Sequence, residues 1–235
     1  LCDEMGLLVW TEIPAWKTRP EVLADGEVYK TYAKPQLAEM IHEYRHHPCV
    51  VIWSIGNEFD SKKKAAAWYV KNACDYVRSL DPTRLVTFAS DRREEDICFP
   101  YVDIISINEY YGWYYGTIYD IGGVLDVLHE MHPDKPILVS EFGSGTPLDV
   151  RGTNKFRISH KGYNMDYQLK FLQAHLEQIF FYKRRGYVAG GLQWVYNDFA
   201  DPHRVGGSHP GEWAYVNLKG VVTQKRERKP SFDLL

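Results

Sequence analysis

The sequence predicts an α/β chain assembled from parallel βα units, and three observations carry that expectation. Apolar runs of strand length alternate with amphipathic stretches of helix length from Leu7 onward. Those runs are rich in Val, Ile and Leu, as strands covered on both faces require. Polar, acidic and aromatic residues then gather where the runs end: Glu12, Asn57-Glu58, Asn108-Glu109-Tyr110-Tyr111, Glu141 and Trp194.

Taken in order, Leu1 to Gly6 reads as the last turn of a helix with a glycine stop. Strands are expected over Leu7 to Ile13, Val50 to Ile55, Leu85 to Ala89, Val102 to Ile107, Ile137 to Val139 and Val188 to Trp194. Helices are expected over Tyr29 to Arg45, Lys62 to Leu80, Ile121 to Met131 and Asn164 to Arg185, with His47-Pro48, Asp81-Pro82 and Lys135-Pro136 as punctuation. Trp68, Ala73 and Val77 mark the core face of the second helix. The stretches Phe142 to Gly162 and Asn197 to Asn217 are too long for tight turns, and loops of that length tend to carry function. The basic cluster Lys225 to Lys229 reads as a solvated surface run.

Composition narrows the function classes. Twenty-eight Lys and Arg against 31 Asp and Glu leave a net charge of −3, which gives no electrostatic footprint for nucleic acid or an anionic membrane. Apolar stretches such as Cys49 to Trp53 are far short of the roughly 20 residues of a membrane span. Four scattered cysteines form no disulfide framework or C-x-x-C pair and read as buried thiols; together with the lack of an Asn-x-Ser/Thr acceptor they favour the cytoplasm. Nine histidines, most of them expected at the surface or at helix ends, show neither His-Glu-x-x-His nor His-x-His. No catalytic metal or cofactor is expected.

Reactive residues at the C-terminal ends of several strands point to a TIM (β/α)8 barrel, although six strands fall short of eight. No G-x-G-x-x-G supports the open doubly wound alternative. Two of the strands, Val50 to Ile55 and Ile137 to Val139, run on into glutamates, Glu58 and Glu141. Paired carboxyls of this kind suit glycoside hydrolysis, in which one protonates the leaving oxygen while the other attacks the anomeric carbon or activates water. Abundant Trp and Tyr suit the faces of a sugar ring.

The segment His46 to Glu58 closely resembles the acid/base segment of family 2 glycoside hydrolases, and Ser140-Glu141-Phe142-Gly143 is similar to their nucleophile segment. The resemblance continues through Asn108 to Tyr114, Gln193-Trp194, Asn217 to Thr223 and Arg228-Lys229-Pro230, so it spans practically the whole chain. It implies a retaining exo-β-glycosidase with Glu58 as general acid and base, Glu141 as nucleophile, and Asn57 on the sugar 2-hydroxyl. It also implies that Tyr110 and Tyr114 line the pocket, with a tyrosine hydroxyl near the nucleophile, and that Trp194 forms its floor. Trp53 and Trp113 are expected in the core, and Glu12 in a buried structural hydrogen bond.

The Asn217-Leu218-Lys219 triplet matches the Asn-x-Lys pattern by which β-glucuronidases hold the C6 carboxylate, so a terminal β-D-glucuronide is the expected substrate and a galactoside the alternative. Arg204 is a further candidate at that end, while the inserted residues Ser208 to Val216 are expected either to displace Lys219 or to supply new contacts from His209, Glu212 and Trp213. By the same resemblance the barrel lacks its first two strands, so strands 3 to 8 are present. Residues 1–235 would then be the C-terminal portion of a barrel domain, without the sugar-binding and immunoglobulin-like domains that precede it in the family. Open strand edges favour association, and a homo-oligomer is expected of the full-length enzyme. The contrasting expectation is a catalytically silent carbohydrate-binding fragment.

Overall fold

The computed structural model describes residues 1–148, 164–202 and 215–235 of the 235-residue chain. They fall into two compact units, Leu1–Asn108 with Asp126–Leu138, and Glu109–Leu125 with Val139–Leu235. In the first unit, α1 (Cys2–Met5) stops at Gly6, whose φ of 70° closes the turn. Strand β1 (Val9–Glu12) follows, then the short α2 (Pro20–Leu23) and α3 (Gly26–Val28). The side chain of Asp25 caps α3 by accepting from the amides of Glu27 and Val28. The helix expected from Tyr29 begins as a π-helical turn, Tyr29–Ala33, before α4 (Lys34–Tyr44).

Strand β2 (Val50–Asn57), α5 (Lys64–Leu80), β3 (Leu85–Ser90) and β4 (Ile105–Asn108) complete the main body of this unit. Strands β1 to β4 pair in parallel in chain order, with Trp10 opposite Ile52, Ile52 opposite Leu85 and Ala89 opposite Ser106. The fourth strand starts later than its apolar run because residues 102–104 form bends after the 3-10 turn Phe99–Tyr101. Buried Tyr69, Val70, Ala73, Cys74 and Val77 form one stripe of α5. Trp68 does not join that stripe: it is 40% exposed and packs edge-on against Tyr29. Trp53 lies in the core as expected, fully buried, and donates its indole N–H to Asp81 at 3.0 Å. Buried Asp96 accepts from Ser61 and Ser90 hydroxyls at 2.5 Å each, and burial pushes its carboxyl up to about 6.

Helix α6 (Ile121–Met131) and strand β5 (Ile137–Phe142) each begin in one unit and end in the other. The second unit adds α7 (Met165–Arg184), capped by the Asn164 side chain, and β6 (Val188–Gln193) beside β5. A small antiparallel pair, β7 (Phe199–Ala200) with β8 (Val216–Asn217), bounds the second long loop. His175, in the middle of α7, is fully buried rather than superficial. It lies between Phe142 and Phe171 at ring distances of 5.7 and 4.0 Å, and burial lowers its pKa to about 4. Cys74 and Cys98 are buried thiols, whereas Cys2 and Cys49 are only partly covered. Among the described residues no helix is long and apolar enough to cross a membrane.

Candidate active site

In the first unit the carboxyl end of β2 is shaped by a glycine. Gly56 has φ 146°, and a Cβ there would stand 2.7 Å from the Ala15 carbonyl. Its absence lets residues 15–17 lie against the strand end, where the Asn57 amide donates to Ala15 O at 3.1 Å and the Lys17 amide to Asn57 O at 2.9 Å. Glu58 follows with φ 53°, a left-handed conformation that costs roughly 1 kcal/mol or more in a non-glycine residue. Its carboxylate accepts from Asn108 Nδ2 at 3.0 Å on Oε1, while Lys17 Nζ stands 3.2 Å from Oε2. The same Asn108 amide donates to Asn57 Oδ1 at 2.9 Å, which ties the two expected site residues of this unit to one side chain.

Glu12 forms the expected hydrogen bond, accepting from Ser54 Oγ at 2.6 Å; the carboxyl is partly shielded although the residue as a whole is open to solvent. Loss of hydration at its carboxyl is the main cause of a raised pKa, with the charge of Glu58 a smaller one.

The second unit holds Glu141 within β5, one residue before the strand ends. Tyr110 donates its hydroxyl to Glu141 Oε2 at 2.5 Å, the length of a charge-assisted bond. The Tyr110 ring packs against Tyr114 at 5.1 Å, and Tyr114 Oη in turn accepts from Lys219 Nζ at 3.0 Å. Lys219 is only 2% exposed, and its ammonium lies 5.1 to 5.8 Å from the rings of Trp113, Tyr114 and Tyr110. Trp113 is therefore core, as expected, and also part of the wall around this cation. Asn217 is buried, and its Oδ1 accepts from the Lys219 amide at 3.0 Å, so the first residue of the triplet shapes the third. Trp194 follows β6 with its amide bonded to Phe142 O at 2.8 Å and its ring edge-on to Phe199. Arg204, His209, Glu212 and Trp213 lie outside the described residues.

Lys229 corrects the expectation of a solvated basic run. Residues 225 to 228 are exposed, but Lys229 is 1% exposed at most and donates to Asp198 Oδ1, Thr146 O and Leu218 O at 2.7 to 3.0 Å. Asp198 Oδ1 also accepts from the Gly220 amide at 2.9 Å. Lys229 and Asp198 thus grip the backbone on both sides of Lys219, while Gln193 Nε2 donates to the Lys219 carbonyl at 2.8 Å. Burial pushes the Asp198 carboxyl up and the Lys229 ammonium down, and each offsets part of the other's shift. Asn108, Lys17, Asp198 and Lys229 are the contributors that sequence reading leaves out of the site. For Lys229 the signal lay in the Arg228-Lys229-Pro230 match, which charge patterning alone overrides. Among the described residues no group of three or more His, Cys, Asp or Glu is arranged to hold a metal ion.

Parallel βα units with polar side chains at the strand ends define a (β/α) barrel-type scaffold. The chain belongs to the glycosyl hydrolases family 2, TIM barrel domain, whose model matches residues 1–235. A β-glucuronidase of Sus scrofa is 33% identical over 247 residues, covering all of this chain and 35% of that protein. The chain therefore spans about a third of that relative's length. A β-galacturonidase of Eisenbergiella tayi bound to galacturonate superposes with a TM-score of 0.85 at 27% identity, covering 99% of this chain and 40% of the other. A β-glucuronidase of Bacteroides uniformis, covalently bound to cyclophellitol-6-carboxylate aziridine, gives 0.80 at 26% identity, with 97% and 27% covered.

Proposed function

We propose that this chain carries the catalytic barrel of a retaining exo-β-glycosidase acting on terminal β-D-glucuronides. Glu58 gives a proton to the glycosidic oxygen as the bond from that oxygen to the anomeric carbon breaks, and Glu141 attacks the same carbon to form a glycosyl ester. Glu58, now a carboxylate, takes a proton from water; the water oxygen bonds to the anomeric carbon and Glu141 leaves. Retaining enzymes of this kind work with two carboxyl groups roughly 5 to 5.5 Å apart. Asn57 addresses the sugar 2-hydroxyl, Tyr110 and Tyr114 line the ring, Trp194 closes the floor, and Asn217, Lys219 and Arg204 form the carboxylate end.

The observation that carries the uronide reading is the aromatic pair Tyr110 and Tyr114, which has the Glu141 carboxylate at one hydroxyl and the buried Lys219 ammonium at the other. An ammonium held among three rings beside Tyr114 presents a positive charge that matches a substrate carboxylate better than a neutral hydroxymethyl group. The family membership and the uronate ligands of the two similar structures support the same end of the sugar. A β-D-galacturonide is the second reading, favoured by the galacturonate-bound neighbour. Release of p-nitrophenol from the β-D-glucuronide, galacturonide, galactoside and glucoside tests both. Preference for the glucuronide is expected; equal rates on glucuronide and galactoside would refute the uronide reading, and binding without release would leave a carbohydrate-binding role.

A further inference from the structure

We infer that Lys17 is a positioning residue for the proton-donating carboxyl: it holds Glu58 Oε2 so that this oxygen, and not Oε1, faces the departing group. The inference rests on Glu58 as acid/base and goes beyond it by assigning a role to the loop after β1. The backbone at Lys17 is built rather than incidental. Its φ of 47° places a long side chain in the left-handed region, where glycine or asparagine is at ease, and its amide is bonded to Asn57 O. Trp16 pairs with Asn57 as an isolated parallel bridge, and the Lys17 ammonium lies 5.3 Å from the Trp16 ring centroid. Two left-handed non-glycine residues, Lys17 and Glu58, therefore meet across a 3.2 Å ion pair at the end of β2.

The division of labour on the carboxyl follows. Asn108 Nδ2 is a fixed, neutral donor on buried β4 and occupies Oε1. Lys17 is 57% exposed on its side chain and can swing aside when a leaving group arrives at Oε2. Other charged groups act on Glu58 from neighbouring elements: Glu12 on β1 and Asp91 after β3 are like charges, and Arg92 is engaged with Asp60 and Asp91 at 3.4 Å. A flexible cation on the solvent side keeps the carboxyl from turning away among those acids. With its cation largely exposed to solvent, the pair contributes little to stability, so its effect belongs to orientation.

The test uses two β-D-glucuronides with the full chain: the 2,4-dinitrophenyl compound, whose leaving group departs without a proton, and the methyl compound, whose leaving group needs one. K17M is expected to lose about 10-fold in kcat/KM on the methyl glucuronide, a fraction of what general acid catalysis contributes. It should lose less than twofold on the dinitrophenyl glucuronide, keep its melting temperature, and be restored in large part by K17R. Equal losses on both substrates, or none on either, would overturn the inference. E58Q separates the two levels: if it fails to show the same leaving-group contrast in larger measure, the acid/base reading itself falls. If E58Q behaves as expected while K17M matches the parent, only the Lys17 role falls. A crystal structure with Lys17 Nζ beyond ion-pair reach of Glu58 would also overturn it, independently of any turnover.

Discussion

Glu58 follows β2 in the first unit and Glu141 lies near the end of β5 in the second, and the two are held by different chemistry. Glu58 is gripped by nitrogen donors, the Asn108 amide and the Lys17 ammonium, in surroundings rich in acids and open to water on one side. Glu141 is gripped by a phenol hydroxyl and backed by aromatic rings around a buried cation. A carboxyl with one oxygen fixed by an amide and the other beside a mobile side chain can exchange a proton without losing its place. One that receives a short phenol bond in an aromatic wall is held on a rigid support. In the proposed reaction this contrast would assign the two glutamates different roles.

The sharpest way to break the contrast is to neutralise each glutamate. E141Q should abolish turnover on every glycoside, a loss on the order of 10⁴-fold or more in kcat whatever the leaving group. E58Q should lose about 10²- to 10⁴-fold on substrates that need protonation and far less on activated aryl glycosides. Steady-state rates on a leaving-group series check both, and parallel losses for the two variants would erase the proposed difference. Next in size, K219M should lower kcat/KM on glucuronides by about 10- to 150-fold, the worth of a charge-assisted bond of about 1.5 to 3 kcal/mol, with little change on a galactoside. Y110F tests the support of Glu141 alone and is expected to cost about 10-fold in kcat, the equivalent of one hydrogen bond.

The units also differ in how acid acts on their stability. Asp96 in the first holds its proton up to about pH 6 when folded, so the stability it contributes is present below its unfolded pKa near 3.8 and is lost as pH rises through 6. His175 in the second stays neutral down to about pH 4, so stability is lost as pH falls from 6.5 toward 4. The two slopes oppose each other between pH 4 and 6. Removing one should expose the other: D96N should gain stability with rising pH in this window and H175Q should lose it, each by about 1.4 kcal/mol per pH unit. Urea unfolding at pH 4.5, 5.25 and 6 measures this, and slopes of the same sign in both variants would contradict it.

The βα alternation was legible because Val, Ile and Leu runs at strand length leave few other solutions, and both glutamates stood out as acids that terminate such runs. Contacts made by side chains distant in sequence were not legible. Lys229 reads as one more charge in Lys225 to Lys229, and only its bonds to Asp198, Thr146 and Leu218 reveal a buried clamp on the Lys219 loop. Lys17 carries no motif, and its role depends on a positive φ that sequence pattern does not predict for lysine. Trp68 misled because helical spacing fits it to the core stripe, while edge-on packing with Tyr29 holds it at the surface.

Covalent trapping tests the central claim most directly. Incubation with 2-deoxy-2-fluoro-β-D-glucuronyl fluoride followed by peptide mapping should place one added sugar on the peptide containing Glu141, with none on the same peptide in E141Q. A label on a different carboxylate, or an unlabelled protein that still releases fluoride, would contradict it.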